Sequence, residues 1–283
     1  MWYPCSEPPG KIDLGPIILP GTRNCRIRGD KLPLVVISHG NVGAFFDHHD
    51  TAEALADAGF VVAAITHRGD NIPTFADAAD PSVMAGRPDD IKRLINFMIG
   101  ASPAASNIDA GRIGFFGFSA GAYTGLVLLG ADPDWATVLC RFSPATRACA
   151  QVLRKAFRAQ PLAPEPRIKA AVIADPPGNY FTADSFAAVN APIQLWASET
   201  GGRGLPNIAV TPEGVAAINK DLTVKREYHV VPNAGHFVFL LCGPSISAVP
   251  AFCKDAPGAD RVAFHKQFNA DVVGFFRAQF GSR

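Results

Sequence analysis

Residues 112–129 constrain the fold of this chain more than any other stretch. An apolar run from Arg112 to Phe118 leads into Gly117-Phe118-Ser119-Ala120-Gly121, and a helix-like run continues from Ala120 to Leu129. A G-x-S-x-G pentapeptide between a strand and a helix is typical of a sharp, strained turn that lifts a serine hydroxyl clear of the backbone. Its glycines let the strand and the helix approach closely. The sequence therefore predicts Ser119 as a nucleophile on such an elbow.

Apolar, β-branched runs alternate with segments of helical periodicity along most of the chain. The predicted strands are 32–38, 60–66, 112–118, 168–174, 193–197 and 224–231, and the predicted helices are 51–58, 88–99, 120–131, 184–189, 211–221 and 260–280. Strands that alternate with helices indicate an α/β fold with a mainly parallel central sheet and helices on both faces.

Two segments interrupt this alternation. Residues 132–167 are rich in Pro, Ala and Arg, and residues 240–258 carry Pro, Ser and two cysteines. We expect both to be cap or loop insertions above the carboxyl edge of the sheet, where binding walls usually lie. A length of 283 residues fits a single large domain over residues 1–283.

Composition narrows the classes of partner. The net charge is +1, with basic and acidic residues interspersed, so we expect no nucleic-acid partner. No apolar run is long enough to span a bilayer, which predicts no integral membrane segment. The sequence leaves the oligomeric state open.

The amino terminus and the cysteines bear on the compartment. No signal-peptide pattern is present, and Met1-Trp2-Tyr3-Pro4 resembles the end of a strand. We expect a periplasmic or secreted protein if a signal peptide precedes this chain, and a cytoplasmic one otherwise. Six cysteines allow up to three disulfides. Cys242 and Cys253 could close a loop and Cys5 could pair with Cys25, but six reduced thiols fit the sequence as well.

A serine nucleophile needs a base, and the base needs an orienting acid. His236 follows the last predicted strand in Asn233-Ala234-Gly235-His236, whereas the other histidines precede Ser119 or lie within a predicted strand or helix. We therefore predict His236 as the base. Asp175 and Glu199 each follow a predicted strand between Ser119 and His236, and their positions alone do not choose between them.

The developing oxyanion requires two backbone N–H donors. The first is predicted at Ala120, directly after the nucleophile and at a helix amino terminus. The second is predicted at Asn41, in the loop after the first buried strand.

Other polar and aromatic clusters carry weaker signals. Asp47-His48-His49-Asp50 opens a helix, and adjacent residues do not all face one point, so we predict no metal and no cofactor. Six aromatic residues near the carboxyl-edge loops could line a pocket or simply pack: Phe45, Phe46, Tyr180, Phe181, Phe237 and Phe239.

Four stretches together resemble the α/β-hydrolase superfamily. They are Leu34-Val35-Val36-Ile37-Ser38-His39-Gly40, residues 59–68 (GFVVAAITHR), residues 113–121 (IGFFGFSAG) and Val231-Pro232-Asn233-Ala234-Gly235-His236-Phe237. Within the superfamily the chain is most similar to serine esterases of the dienelactone-hydrolase-like and platelet-activating-factor-acetylhydrolase-like groups. The resemblance implies an α/β-hydrolase fold with a Ser–acid–His triad.

The resemblance also favours one acid. Many such hydrolases place an Asp two residues after a Glu, but here Gly201 stands two residues after Glu199. The acetylhydrolase-like members use an Asp at the end of the preceding strand, which matches Ala174-Asp175. We therefore predict Asp175, with Glu199 as the alternative acid.

These features predict a serine hydrolase that cleaves small-molecule carboxylic esters, with a short acyl group, through an acyl-enzyme intermediate. A lipid or polyester hydrolase, a thioesterase or an amidase would use the same triad. From a different class, a non-catalytic binding protein on a hydrolase scaffold is the alternative, because fold does not fix function.

Overall fold

The computed structural model describes residues 1–15, 17–71, 81–135, 140, 149, 163–205, 208–243 and 250–281. Its centre is a six-stranded sheet in the order β4-β3-β5-β6-β7-β8, in which every neighbouring pair is parallel. The strands are β3 (Leu32–Ser38), β4 (Val61–Ala64), β5 (Ile108–Phe118), β6 (Ile168–Ala174), β7 (Ile193–Ser198) and β8 (Arg226–Val231). A separate antiparallel hairpin precedes them, formed by β1 (Gly10–Asp13) and β2 (Ile18–Gly21).

Helices cover both faces of the central sheet. They are α1 (His49–Asp57), α2 (Pro81–Gly100), α3 (Ala120–Leu128), α4 (Pro212–Asp221) and α5 (Arg261–Phe280). Side chains of α2, α3 and α4 form one buried cluster with the sheet, and those of α1 and α5 form the other. Successive side chains of a strand point to opposite faces of its sheet. In β3, Leu34 and Val36 therefore belong to the first cluster, and Val35 and Ile37 to the second.

The topology brings the sequence-predicted site residues to one edge. Strands β3, β5, β6, β7 and β8 run parallel, so the loops that follow them lie side by side. Those loops begin after Ser38, Phe118, Ala174, Ser198 and Val231. This confirms the predicted mainly parallel sheet with helices on both faces.

Some element boundaries differ from the sequence predictions. Helix α2 begins at Pro81 rather than Pro88, which lies inside it. The predicted helix 88–99 begins at Pro88 because proline favours the first turn, yet this proline is accommodated within the longer helix. Residues 184–189 form only a short 3-10 helix over Ala183–Phe186. The sequence does not predict the hairpin β1–β2, because apolar and polar residues do not alternate strongly in these two short strands.

The predicted insertions lie partly outside the described residues. Of residues 132–167, positions 136–139, 141–148 and 150–162 are not described, and of residues 240–258, positions 244–249 are not. The single-domain organisation and the role of both segments as caps therefore stay predictions.

All six cysteines are paired. The disulfides join Cys5 to Cys25, Cys140 to Cys149, and Cys242 to Cys253. The first ties the amino-terminal segment to the loop before β3, and the last closes the loop that precedes α5. Among the helices of the described residues, none has both the length and the apolar character that a bilayer crossing demands.

Candidate active site

Ser119 occupies a strained turn between β5 and α3. Its backbone dihedrals are φ 54° and ψ −117°, a conformation that residues with a Cβ rarely adopt. A Cβ at Gly121 would overlap the carbonyl of Ser38, and a Cβ at Gly117 would overlap the carbonyl of Gly121. Only glycine fits at these two positions, so the pentapeptide allows the turn to form against β3.

A continuous hydrogen-bond chain starts at the hydroxyl of Ser119. The Nε2 atom of His236 lies 3.0 Å from Ser119 Oγ, and His236 Nδ1 lies 2.8 Å from Asp175 Oδ2. Asp175 is fully buried and His236 is 1% exposed, whereas Ser119 is partly exposed. This hydrogen-bond chain therefore runs from a buried carboxylate to an accessible hydroxyl.

Ser198 fixes the carboxylate of Asp175. The backbone N–H of Ser198 donates to Asp175 Oδ1 at 2.8 Å, and its hydroxyl donates to Oδ2 at 2.6 Å. Both bonds hold the carboxylate in a fixed orientation beside His236. Sequence analysis missed Ser198; its signal is a polar residue at the carboxyl end of strand β7.

Aromatic packing orients the imidazole of His236. Phe118 stacks on this ring with a centroid distance of 4.7 Å and an interplanar angle of 29°. Phe118 is the last residue of β5 and directly precedes Ser119. The same turn therefore positions the Ser119 hydroxyl and supports the His236 imidazole.

Glu199 is not part of the hydrogen-bond chain from Ser119 to Asp175. It is exposed, and its Oε2 accepts the backbone N–H of Asn233 at 2.6 Å. The N–H of His236 in turn donates to the carbonyl of Gly201 at 2.8 Å. Glu199 therefore braces the loop that carries His236, while Asp175 contacts the imidazole.

The loop after β3 passes beside the elbow. A Cβ built on Gly40 would lie 3.5 Å from Ser119 Cβ, which places the backbone of Gly40 and Asn41 next to the nucleophile. Helix α3 begins at Ala120, and the first N–H groups of a helix have no acceptor within it. Both sequence-predicted oxyanion donors thus belong to segments that adjoin Ser119.

The sequence-predicted pocket residues lie in separate places. Phe237 adjoins His236, with ring centroids 5.2 Å apart. Tyr180 contacts Tyr123 at 4.9 Å, and Tyr123 lies one turn after Ser119 on α3. Phe45 and Phe46 contact each other at 5.2 Å. That these four residues line a substrate pocket stays a prediction.

The other two aromatic residues, Phe239 and Phe181, pack against buried neighbours. Phe239 is fully buried in the cluster under α1 and α5, so it does not line a pocket. Phe181 packs against the fully buried ring of Tyr123, with ring centroids 5.8 Å apart.

The acidic and histidine residues 47–50 point to different partners. Asp47 accepts the N–H of Ala44, and burial raises its pKa to about 6. His48 packs against Phe116, and burial lowers its pKa to about 4. Asp50 pairs with His265. Within the described ranges, no cluster of three or more His, Cys, Asp or Glu side chains is arranged to hold a metal ion.

The six-stranded parallel sheet, the helices on both faces and the strand–elbow–helix unit at Ser119 define the α/β-hydrolase fold. Comparison with known proteins agrees. Residues 11–84 match the family described as platelet-activating factor acetylhydrolase, isoform II. No curated protein sequence matches the chain.

Solved structures of esterases resemble this chain over most of its length. A ferulic acid esterase from Streptomyces cinnamoneus shares 20% identity at a TM-score of 0.62, covering 92% of this chain and 71% of its own. An acetyl xylan esterase from Thermoanaerobacterium sp. JW/SL YS485 shares 15% identity at a TM-score of 0.51, covering 93% and 78%.

A protein from Klebsiella pneumoniae, assigned as a dienelactone hydrolase, shares 17% identity at a TM-score of 0.55, covering 90% of each chain. At such identities the likeness establishes the fold. It confirms the α/β-hydrolase fold that the sequence motifs indicated.

Proposed function

We propose that this chain is a serine hydrolase that cleaves small-molecule carboxylic esters with a short acyl group. One observation carries the proposal: Ser119, His236 and Asp175 form a continuous hydrogen-bond chain. The Ser119 Oγ to His236 Nε2 distance is 3.0 Å and the His236 Nδ1 to Asp175 Oδ2 distance is 2.8 Å. Ser119 itself lies on the strained elbow of an α/β-hydrolase fold. The ester-cleaving enzymes among its structural neighbours support the same reading.

Acylation begins at the accessible hydroxyl. Ser119 Oγ attacks the ester carbonyl while its proton passes to His236 Nε2. Asp175, held by Ser198, accepts a hydrogen bond from the Nδ1–H group of His236 and stabilises the imidazolium without taking its proton. The N–H groups of Asn41 and Ala120 donate to the oxyanion of the tetrahedral intermediate. Collapse of this intermediate breaks the ester bond, and His236 protonates the departing alcohol.

Deacylation repeats these steps with water. His236 takes a proton from a water molecule as its oxygen attacks the acyl-enzyme carbonyl, and the second tetrahedral intermediate uses the same two N–H donors. Its collapse returns the proton to Ser119 Oγ and releases the carboxylic acid. His236 carries out every proton transfer in these steps and the two N–H groups stabilise the oxyanion, so the proposal includes no cofactor and no metal.

The disulfides suit an oxidising compartment. Disulfides persist in the periplasm and outside the cell, and this chain carries three. We therefore propose a periplasmic or secreted location. Purification without reducing agents keeps the three disulfides intact.

A p-nitrophenyl acyl series from C2 to C12 tests the substrate class. We expect kcat/KM to be highest for the short acyl chains and to fall for the long ones. Activity that rises toward C12 would point instead to a lipid or polyester hydrolase. If thioesters or anilides are turned over and oxygen esters are not, the chain is a thioesterase or an amidase. Absence of turnover together with absence of labelling by an organophosphonate would favour the non-catalytic binding protein.

A further inference from the structure

A fully buried arginine lies behind the loop that follows β3. Arg87, on α2, has no solvent exposure, and neither has the carboxylate of Asp70 with which it pairs. A buried ion pair is a weak source of net stability, because desolvation offsets much of the attraction. The main effect of this pair therefore lies in the backbone groups that it holds in place.

The pair holds the loop on both sides of Asn41. One guanidinium nitrogen of Arg87 donates to the carbonyl of His39. Asp70 Oδ1 accepts the backbone N–H of Val42 at 2.6 Å. The first contact fixes the peptide group before Gly40 and the second fixes the peptide group after Asn41. The peptide group between them carries the Asn41 N–H, so its direction is set by the two anchors.

Val42 shows that the loop conformation needs this support. Its φ is 60°, which is unfavourable for a β-branched residue. The N–H of Gly43 donates to the carbonyl of Gly40 at 3.3 Å, so Val42 takes a turn position that usually requires glycine. Strained residues persist where surrounding contacts determine them, and the bond to Asp70 is such a contact.

Arg87 also reaches the helix that carries the other donor. Its Nε donates to Thr124 Oγ1 at 3.1 Å, and the Thr124 hydroxyl donates to the carbonyl of Ala120 at 2.8 Å. One guanidinium thus joins the Asn41 loop to the first turn of α3, where Ala120 lies. The relative position of the two donors follows from this connection.

Ser38, His67 and His39 complete the hydrogen-bond network around Arg87. The hydroxyl of Ser38 accepts from Arg87 at 3.1 Å and lies 2.9 Å from His67 Nε2. His67 Nδ1 lies 2.9 Å from Asp90 Oδ2. His39 Nε2 accepts the N–H of His67 at 3.0 Å. Burial, together with the charge of Arg87, holds the pKa of both imidazoles well below the usual range. Arg87 and Asp70 are therefore the charged pair at the centre of this network.

We propose that Arg87, through Asp70 and Thr124, is the positioning residue of the oxyanion hole: it sets the spacing and direction of the Asn41 and Ala120 N–H groups. The inference rests on the proposed function. It assigns Arg87 a role in transition-state stabilisation without contact with the substrate. Its loss should therefore lower kcat and leave KM nearly unchanged, because misplaced donors act on the oxyanion and not on the bound ester.

The test compares Arg87→Lys with Arg167→Lys. Arg167 also bridges a carboxylate, Glu165, and a second side chain, Asn96, but it lies before β6 at the opposite edge of the sheet. Lysine keeps the charge in both variants and loses the planar fork. With p-nitrophenyl acetate we expect kcat of Arg87→Lys to fall at least about tenfold with KM within about twofold. Arg167→Lys should keep kcat within about twofold.

A transition-state analogue separates positioning from folding. A trifluoromethyl ketone adds to Ser119 and places an oxyanion in the hole, so its Ki for Arg87→Lys should rise by the same factor as kcat/KM falls. Circular dichroism establishes that each variant is folded. If Arg87→Lys does not fold, Thr124→Val decides, because it removes only the link from Arg87 to α3. We then expect kcat to fall with KM unchanged.

Two results would overturn the inference. Arg87→Lys could match Arg167→Lys in kcat and in trifluoromethyl ketone affinity, or Arg87→Lys could fail to fold while Thr124→Val keeps the native kcat. An unmodified chain that hydrolyses no ester and reacts with no organophosphonate would instead refute the proposed function, and this inference with it.

Discussion

Ser119→Ala should lower kcat/KM for p-nitrophenyl acetate by about 10⁵-fold. The variant retains His236, Asp175 and the backbone donors, but it has no oxygen to attack the carbonyl. Alanine fits the elbow as serine does, because the side chain shrinks by one atom and the dihedrals are already imposed by the turn. Steady-state hydrolysis, with circular dichroism for folding, measures the effect.

Ser106→Ala is the matched control. Ser106 is exposed in the short 3-10 helix Ala105–Asn107, at the opposite end of the strand that leads to Ser119. We expect this variant to keep native activity, since surface substitutions away from a site are nearly neutral. More than about 1% residual activity in Ser119→Ala, beyond what contaminating native enzyme supplies, would contradict the assignment of the nucleophile.

Asp175→Asn should lower kcat by about 10⁴-fold. The Asn oxygen can still accept the Ser198 N–H, which turns its amide NH₂ toward His236 Nδ1. The imidazole then carries its proton on Nε2 and cannot accept the proton of Ser119. The fold is expected to persist because asparagine has nearly the shape of aspartate, and the same kinetic assay reports the loss.

Glu199→Gln distinguishes the two acids that the sequence proposes. Glutamine keeps an oxygen that can accept the Asn233 N–H, so the brace of the His236 loop survives and kcat should stay within about threefold of native. The opposite pattern, with Glu199→Gln inactive and Asp175→Asn active, would make Glu199 the acid while leaving the reaction class intact.

The sequence predicts most of the central sheet because its strands are buried on both faces. Leu32–Ser38 and Ile168–Ala174 are predicted with the bounds that the structure shows, since continuous apolar runs between turn residues allow few other assignments. The strand–elbow–helix order around Ser119 is equally local, and the position of His236 follows from the order of strands.

Contacts between distant parts of the chain could not be predicted in this way. Asp175 and Glu199 both follow strands, and only the fold shows that Asp175 reaches His236 while Glu199 reaches Asn233. The contact of Arg87 with Ser38 spans 49 positions, and no periodicity links α2 to β3. Ser198 is similar: its hydroxyl has meaning only beside Asp175, 23 positions away.

Labelling with a fluorophosphonate tests the central claim most directly. Ser119 Oγ should attack the phosphorus and displace fluoride, which leaves a stable adduct that mass spectrometry locates on the peptide containing Ser119. The account predicts that ester hydrolysis falls in proportion to the labelled fraction and that Ser119→Ala takes up no label. Label on another residue, or full hydrolysis by a fully labelled chain, would contradict it.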